Sequence, residues 1–221
     1  MTGVESFARD LEARRLLGNR YLPSVGWMSI RRADAEVGLA PLFRELYKLS
    51  IKHKVPLPMH MQWHPESVEQ LGRLLASDRE GVVLLSHCGK DSQAGEIRVF
   101  FEQHPNVLCD LGFRSPPQAA AESGKDPART IYWGESFFSK PGIKPEWAKL
   151  IEDYPDRFMV AVDDVHRWST YDEVIKVIRT GLLAQLRPET AEKVAYKNAV
   201  RVFRLQEPPA VQAPSAAPAG G

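Results

Sequence analysis

Residues 81–87 read GVVLLSH, an apolar run from Gly81 to Ser86 that stops on a histidine, His87. A run with no polar alternation leaves no side for water, and so fits a strand buried on both faces, as strands of parallel sheets are. Similar stretches lie on either side of it: VPLPMHM at Val55–Met61, NVLCDL at Asn106–Leu111 and RFMVAV at Arg157–Val162. A shorter one, Ser24–Ile30, carries Val25, Trp27, Met28 and Ile30. Between them the spacing becomes helical. Ala40–Lys54 puts Leu42, Phe43, Leu46, Tyr47 and Ile51 on one face, and Pro65–Leu75, Ser92–Gln103 and Glu146–Tyr154 behave alike. Helices are also expected at Val4–Leu17, Tyr171–Gln185 and Pro188–Phe203. Strands alternating with helices of this length imply βαβ units and a parallel sheet, either doubly wound or closed into a barrel.

The rest of the chain bounds the answer. At 221 residues with 43% hydrophobic content, one core of ordinary size is expected, with residues 1–206 as a single domain. Glu207–Gly221 is mostly Pro, Ala and Gly, cannot bury apolar area, and is expected to be a disordered tail. The net charge of +1 and the lack of a basic cluster with interleaved aromatics argue against nucleic acid as a partner. No apolar stretch approaches the ~20 residues of a membrane span. A soluble, cytoplasmic chain is expected, with Cys88 and Cys109 as reduced, buried thiols because they lie within apolar runs. Gly112–Gly142 is a long irregular stretch of the kind that more often serves a site than fills space.

Three polar residues close apolar strands: His60 ends PLPMH, His87 ends VVLLSH and Asp163 ends FMVAVD, with Asp164 directly after it. In a parallel α/β architecture all carboxyl ends of strands open on one side, so these residues converge although far apart in sequence. Imidazole nitrogen and carboxylate oxygen together suit a divalent metal, zinc before manganese or iron. Water on such an ion reaches a pKa near ~7 and attacks carbonyls at neutral pH. Taken singly, a strand-end histidine is more often a hydrogen-bonded structural residue, and Asp164 is equally suited to capping the segment after it. Arg114, His64 and His166 follow strand ends and are candidate substrate contacts; each would otherwise be an ordinary solvated loop residue. Gln62, Arg167 and Trp168 lie beside them, Glu135 stands without a visible partner, and Gly89 in HCG suits a tight turn or a helix entry.

These segments, in this order, resemble the amidohydrolase-related metal hydrolases and decarboxylases. PLPMHMQ is similar to the family's fifth-strand histidine motif, VVLLSHCG to its sixth, and HPNVLCDLGFR to its seventh strand. YPDRFMVAVDD resembles the eighth strand with its aspartate, and AEKVAYKNAVRVFRL the closing helix with Asn198-Ala199. The resemblance implies a TIM-barrel-like (β/α) metal-hydrolase fold whose front strands are not among the five read here. It also implies a small-molecule substrate cleaved at a C–N or C–O bond by a metal-bound water. By the same resemblance His60 would be a metal ligand, His87 the residue acting on the water, and Asp163 a ligand and general base. Metal-dependent decarboxylation is the related alternative. The His-x-His pair of the family's first strand is absent from the sequence, which supports a second reading: an inactive or truncated barrel piece that binds a ligand or partner. Sheet edges left open would need covering by the N-terminal helix or by a second copy, which makes a homo-oligomer an expected partner state.

Overall fold

A computed structural model of the chain describes residues 29–30, 40–113, 137–139, 142–162 and 168–206. The helix expected at Val4–Leu17, most of the strand at Ser24–Ile30, the middle of the long loop and the tail from Glu207 lie outside the described residues.

Five strands form one parallel sheet: β1 (Ser29–Ile30), β2 (Leu57–Gln62), β3 (Val83–Lys90), β4 (Val107–Phe113) and β7 (Phe158–Val162). They stand side by side in chain order, β1-β2-β3-β4-β7. A doubly wound sheet reverses its strand order at a switch point, whereas a barrel adds each strand beside the last. The order here is that of a barrel. Helices α1 (Ala40–His53), α2 (Pro65–Ser77), α3 (Ala94–Gln103) and α4 (Pro145–Asp153) make the crossovers. Between β4 and α4 lies a small antiparallel ribbon of β5 (Phe138–Ser139) and β6 (Gly142–Ile143).

Strand side chains alternate between two faces. Leu57, Met59, Val83, Leu85, Val107, Cys109 and Phe158 point to one, where they meet Tyr47 of α1, Leu71 and Leu75 of α2, Ile97 of α3 and Trp147 of α4. This is the main core. Each fully buried side chain of this size contributes about 1.5–3 kcal/mol relative to exposure. On the opposite, inner face Leu84, Leu108 and Met159 form a smaller cluster covered by Ala199, Val202 and Phe203.

The expected helix at Tyr171–Gln185 is α5 (Trp168–Val177), continuing as a π turn at Ile178–Leu182 and a tight 3-10 turn at Leu183–Gln185. That at Pro188–Phe203 is α6 (Pro188–Glu192), a π turn at Lys193–Lys197 and α7 (Asn198–Phe203). Asn198 fastens α7 to the sheet by donating from Nδ2 to the carbonyls of Pro155 and Phe158, at 2.7 Å each.

Pro58 is the second residue of β2, where a missing N–H should break a ladder bond. Its neighbour explains how it is tolerated. Leu57 N–H donates toward β3, to the Val82 carbonyl at 2.8 Å, so alternation turns the Pro58 nitrogen toward β1. The described part of β1 pairs with β2 only at His60 and Met61, beyond the proline.

The cysteines depart from expectation. Cys88 and Cys109 are not two thiols but one disulfide, joining β3 to β4 with Cα atoms 4.6 Å apart. Twenty-one positions separate them in the chain, and the irregular path of β3 described below turns Cys88 toward its partner.

Candidate functional site at the carboxyl end of the sheet

The register between β2 and β3 slips where the histidines stand. His60 pairs with Ser86 and Gln62 with Lys90, so two steps along β2 face four along β3. Opposite the single Met61 stand His87, Cys88 and Gly89, two residues more than a regular ladder holds, all left-handed with φ of 55°, 52° and 75°. A left-handed non-glycine residue costs about 1–2 kcal/mol, so the bulge must be held by something. Gly89 meets its part without that cost, and a Cβ there would come within 2.5 Å of the Trp63 ring.

The bulge changes which way His87 faces. By strict alternation it would share the helix-covered side with Leu85, but the left-handed run swings its ring to the inner face. There it meets His60 edge to face, with ring centroids 5.3 Å apart. Both rings are buried, with His60 9% and His87 2% exposed. They line a cavity of about 180 Å³ with Ser86, Asp110, Gly112 and Val162, and Phe203 of the closing helix also borders it.

Contacts from β4 fix the ring. His87 Nδ1 lies 3.2 Å from the Gly112 carbonyl. A carbonyl only accepts, so Nδ1 carries a proton, which in the neutral ring leaves the lone pair on Nε2. The backbone N–H groups of His87 and Gly112 both donate to Asp110 Oδ1 at 3.0 Å. Burial pushes the Asp110 carboxyl above its ordinary value, and these N–H donors, the Ser86 side chain and the neighbouring His87 oppose the rise without cancelling it.

That shift has a measurable consequence. A carboxyl whose pKa is raised on folding contributes stability below its unfolded value and loses it as pH rises through the folded value. Asp110→Asn keeps an acceptor and removes the titration. Its urea midpoint is expected to gain on that of wild type as pH rises above 3.8, and the gain to level off above the folded pKa. A constant difference across the series would contradict the buried, raised carboxyl. Gly112 has its own constraint: a Cβ there would lie 2.6 Å from His87 Nδ1 and 3.0 Å from Asp110 Oδ1. Gly112→Ala is expected to lose about 1–3 kcal/mol in denaturant unfolding, because two held side chains must move.

Of the residues anticipated from the sequence, the structure brings His60 and His87 together. His64 takes the N-cap position of α2, where its carbonyl accepts the Val68 N–H at 2.9 Å, and it does not border the cavity. Gln62 lies in β2 beside Lys90, and Trp168 begins α5. Asp163, Asp164, Arg114, His166, Arg167 and Glu135 lie outside the described residues. Asp110 was not anticipated. Its signal was a carboxylate inside NVLCDL, since aspartate is almost never buried without partners.

In donor type this site suits a divalent cation, with imidazole nitrogen as the resident chemistry. In number it falls short: among the described residues no group of three or more His, Cys, Asp or Glu gathers to hold an ion. No described helix is long and apolar enough to cross a membrane.

Solved structures share this arrangement of strands and helices. An uncharacterised TIM-barrel protein from Bordetella bronchiseptica superposes with a TM-score of 0.51 at 12% identity, over 90% of this chain and 72% of that one. An amidohydrolase from Burkholderia multivorans with bound zinc gives 0.49 at 15% identity, over 90% of this chain and 71% of its own. Amidohydrolase 2 from Bifidobacterium longum subsp. infantis gives 0.48 at 14% identity over 79% of this chain, which spans only 58% of that protein's length. No curated protein matches the sequence. The likeness to the Bordetella bronchiseptica barrel and the strand order make the fold TIM-barrel-like α/β, and residues 2–205 match the amidohydrolase family. The chain, with its paired strand-end histidines, belongs to the amidohydrolase family.

Proposed function

We propose that the chain carries the later strands of a metal-dependent hydrolase that cleaves a C–N or C–O bond of a small substrate. The observation that supports it is the meeting of His60 and His87 from consecutive strands over one cavity, with His87 turned inward by a costly left-handed bulge. His60 would be a ligand. Asp163 would be another, and it follows Val162, a residue that borders the same cavity. A divalent cation supplies Lewis acidity and a water that ionises near neutral pH. The chain's own residues do the rest: Asp163 would accept a proton from the water, and His87, protonated at Nδ1, would orient that water through Nε2. Arg114 and His166 are proposed to hold the substrate. The cavity, at about 180 Å³, is smaller than the ~300–1,000 Å³ of common ligand pockets, so it would admit only a small substrate.

Elemental analysis of the purified chain tests this. Stoichiometric zinc or manganese is expected, falling to background in His60→Ala and Asp163→Ala and retained in His87→Ala. The other reading, a barrel piece that binds a ligand or partner without catalysis, draws on the missing third ligand among the described residues. A wild-type chain with no metal above background would favour it and sink the hydrolase.

A further inference from the structure

We infer that Asp110 is the positioning residue of this site, its Oδ1 holding the left-handed bulge that turns the His87 ring toward His60. The inference deepens the hydrolase reading, on which the importance of His87 rests, but its geometry stands apart from any metal.

Three observations converge on Asp110. The His87 N–H, at the first left-handed residue, donates to Oδ1 at 3.0 Å. The same oxygen takes the Gly112 N–H at 3.0 Å, and the Gly112 carbonyl in turn lies 3.2 Å from His87 Nδ1. One oxygen thus ties the backbone of His87 to the residue that fixes its ring. The far end of the bulge is held separately. Ser92 donates from Oγ to the Cys88 carbonyl at 2.8 Å and from its N–H to the Gly89 carbonyl at 3.1 Å, and Cys88 is bonded to Cys109. None of these reaches the His87 N–H. Without an acceptor at position 110, that N–H and the Gly112 N–H lose their buried partner, and the left-handed conformation loses what offsets its cost. Relaxation to ordinary strand geometry would return the ring toward the helix-covered side.

Burying a carboxyl is costly, and a strand interior offers apolar alternatives of the same size. An acceptor with two convergent backbone donors is what an apolar residue cannot supply. Asparagine can, since its Oδ1 accepts in the same place.

NMR on the full chain, isotope-labelled and without added metal, tests the inference. In wild type, a nuclear Overhauser contact between the His60 and His87 rings and the Nδ1–H tautomer of His87 are expected. Asp110→Asn should keep both. Asp110→Leu should lose both, while the ring contact of Phe137 with Trp147, centroids 5.0 Å apart in the core, persists. Retention of the His60–His87 contact and the tautomer in Asp110→Leu would overturn the inference, as would their loss in Asp110→Asn. Should Asp110→Leu not fold, amide exchange in wild type decides: slow exchange at His87 and Gly112 supports the clamp, and exchange at the rate of an open amide refutes it. The metal content bears only on the hydrolase reading, so the two can fail separately.

Discussion

Trp147→Ala is expected to destabilise the chain by about 3–5 kcal/mol, read as a lower urea midpoint at unchanged slope. Trp147 lies in the first turn of α4, is fully buried, and packs against Phe137 with ring centroids 5.0 Å apart. Phe137 immediately precedes β5, and its carbonyl accepts the Lys144 N–H at 2.8 Å, so the pair joins the ribbon to the helix. Truncation removes the largest side chain of the main core and leaves a void bordered by elements that cannot collapse together. A loss below about 1 kcal/mol would mean that the site repacks, contrary to the dense interiors proteins show. His60 and His87 lie on the other face of the sheet, so their ring contact should survive the change.

A second large effect is expected at Asn198. Its carboxamide serves the carbonyls of Pro155 and Phe158, one just before β7 and one at its first residue. Asn198→Ala deprives both acceptors at once, at roughly 1–3 kcal/mol each for buried groups. The expected sum is about 2–6 kcal/mol, with Asn198→Asp recovering little because a carboxylate faces two carbonyls. Because α7 also covers Leu84, Leu108 and Met159, dye binding to exposed apolar surface should rise in the alanine variant. A midpoint within error of wild type would show that other contacts hold the helix.

The main strands were legible in the sequence because each is an apolar run closed by a polar residue, whereas the runs alone left a doubly wound sheet and a barrel equally open and only the family resemblance implied the barrel order. GVVLLSH and NVLCDL need no tertiary knowledge to read as buried strands. His60 was legible for the same reason, since alternation alone carries it from Pro58 to the inner face. His87 was legible as a residue but not as a conformation. Nothing in SHCGK announces that three residues turn left-handed, and that turn decides both the aim of His87 and the pairing of Cys88 with Cys109. Two thiols were expected because both cysteines lie in apolar runs; with β3 read as regular, Cys88 would also fall on the inner face and Cys109 on the helix side, hiding the pairing. Asp110 was hidden by its neighbours, whose apolar character made the whole segment read as core. Its role exists only against the backbone of another strand, 23 positions away in the chain.

The inner face of the sheet owes its cover to the last helix, and this gives the order of synthesis a physical meaning. A chain emerging from its amino end completes β2, β3, β4 and β7 before Ala199, Val202 and Phe203 exist. Until then Leu84, Leu108 and Met159 stand as bare apolar surface on a growing polypeptide. Such surface invites chaperones or misassociation during translation until α7 docks upon it.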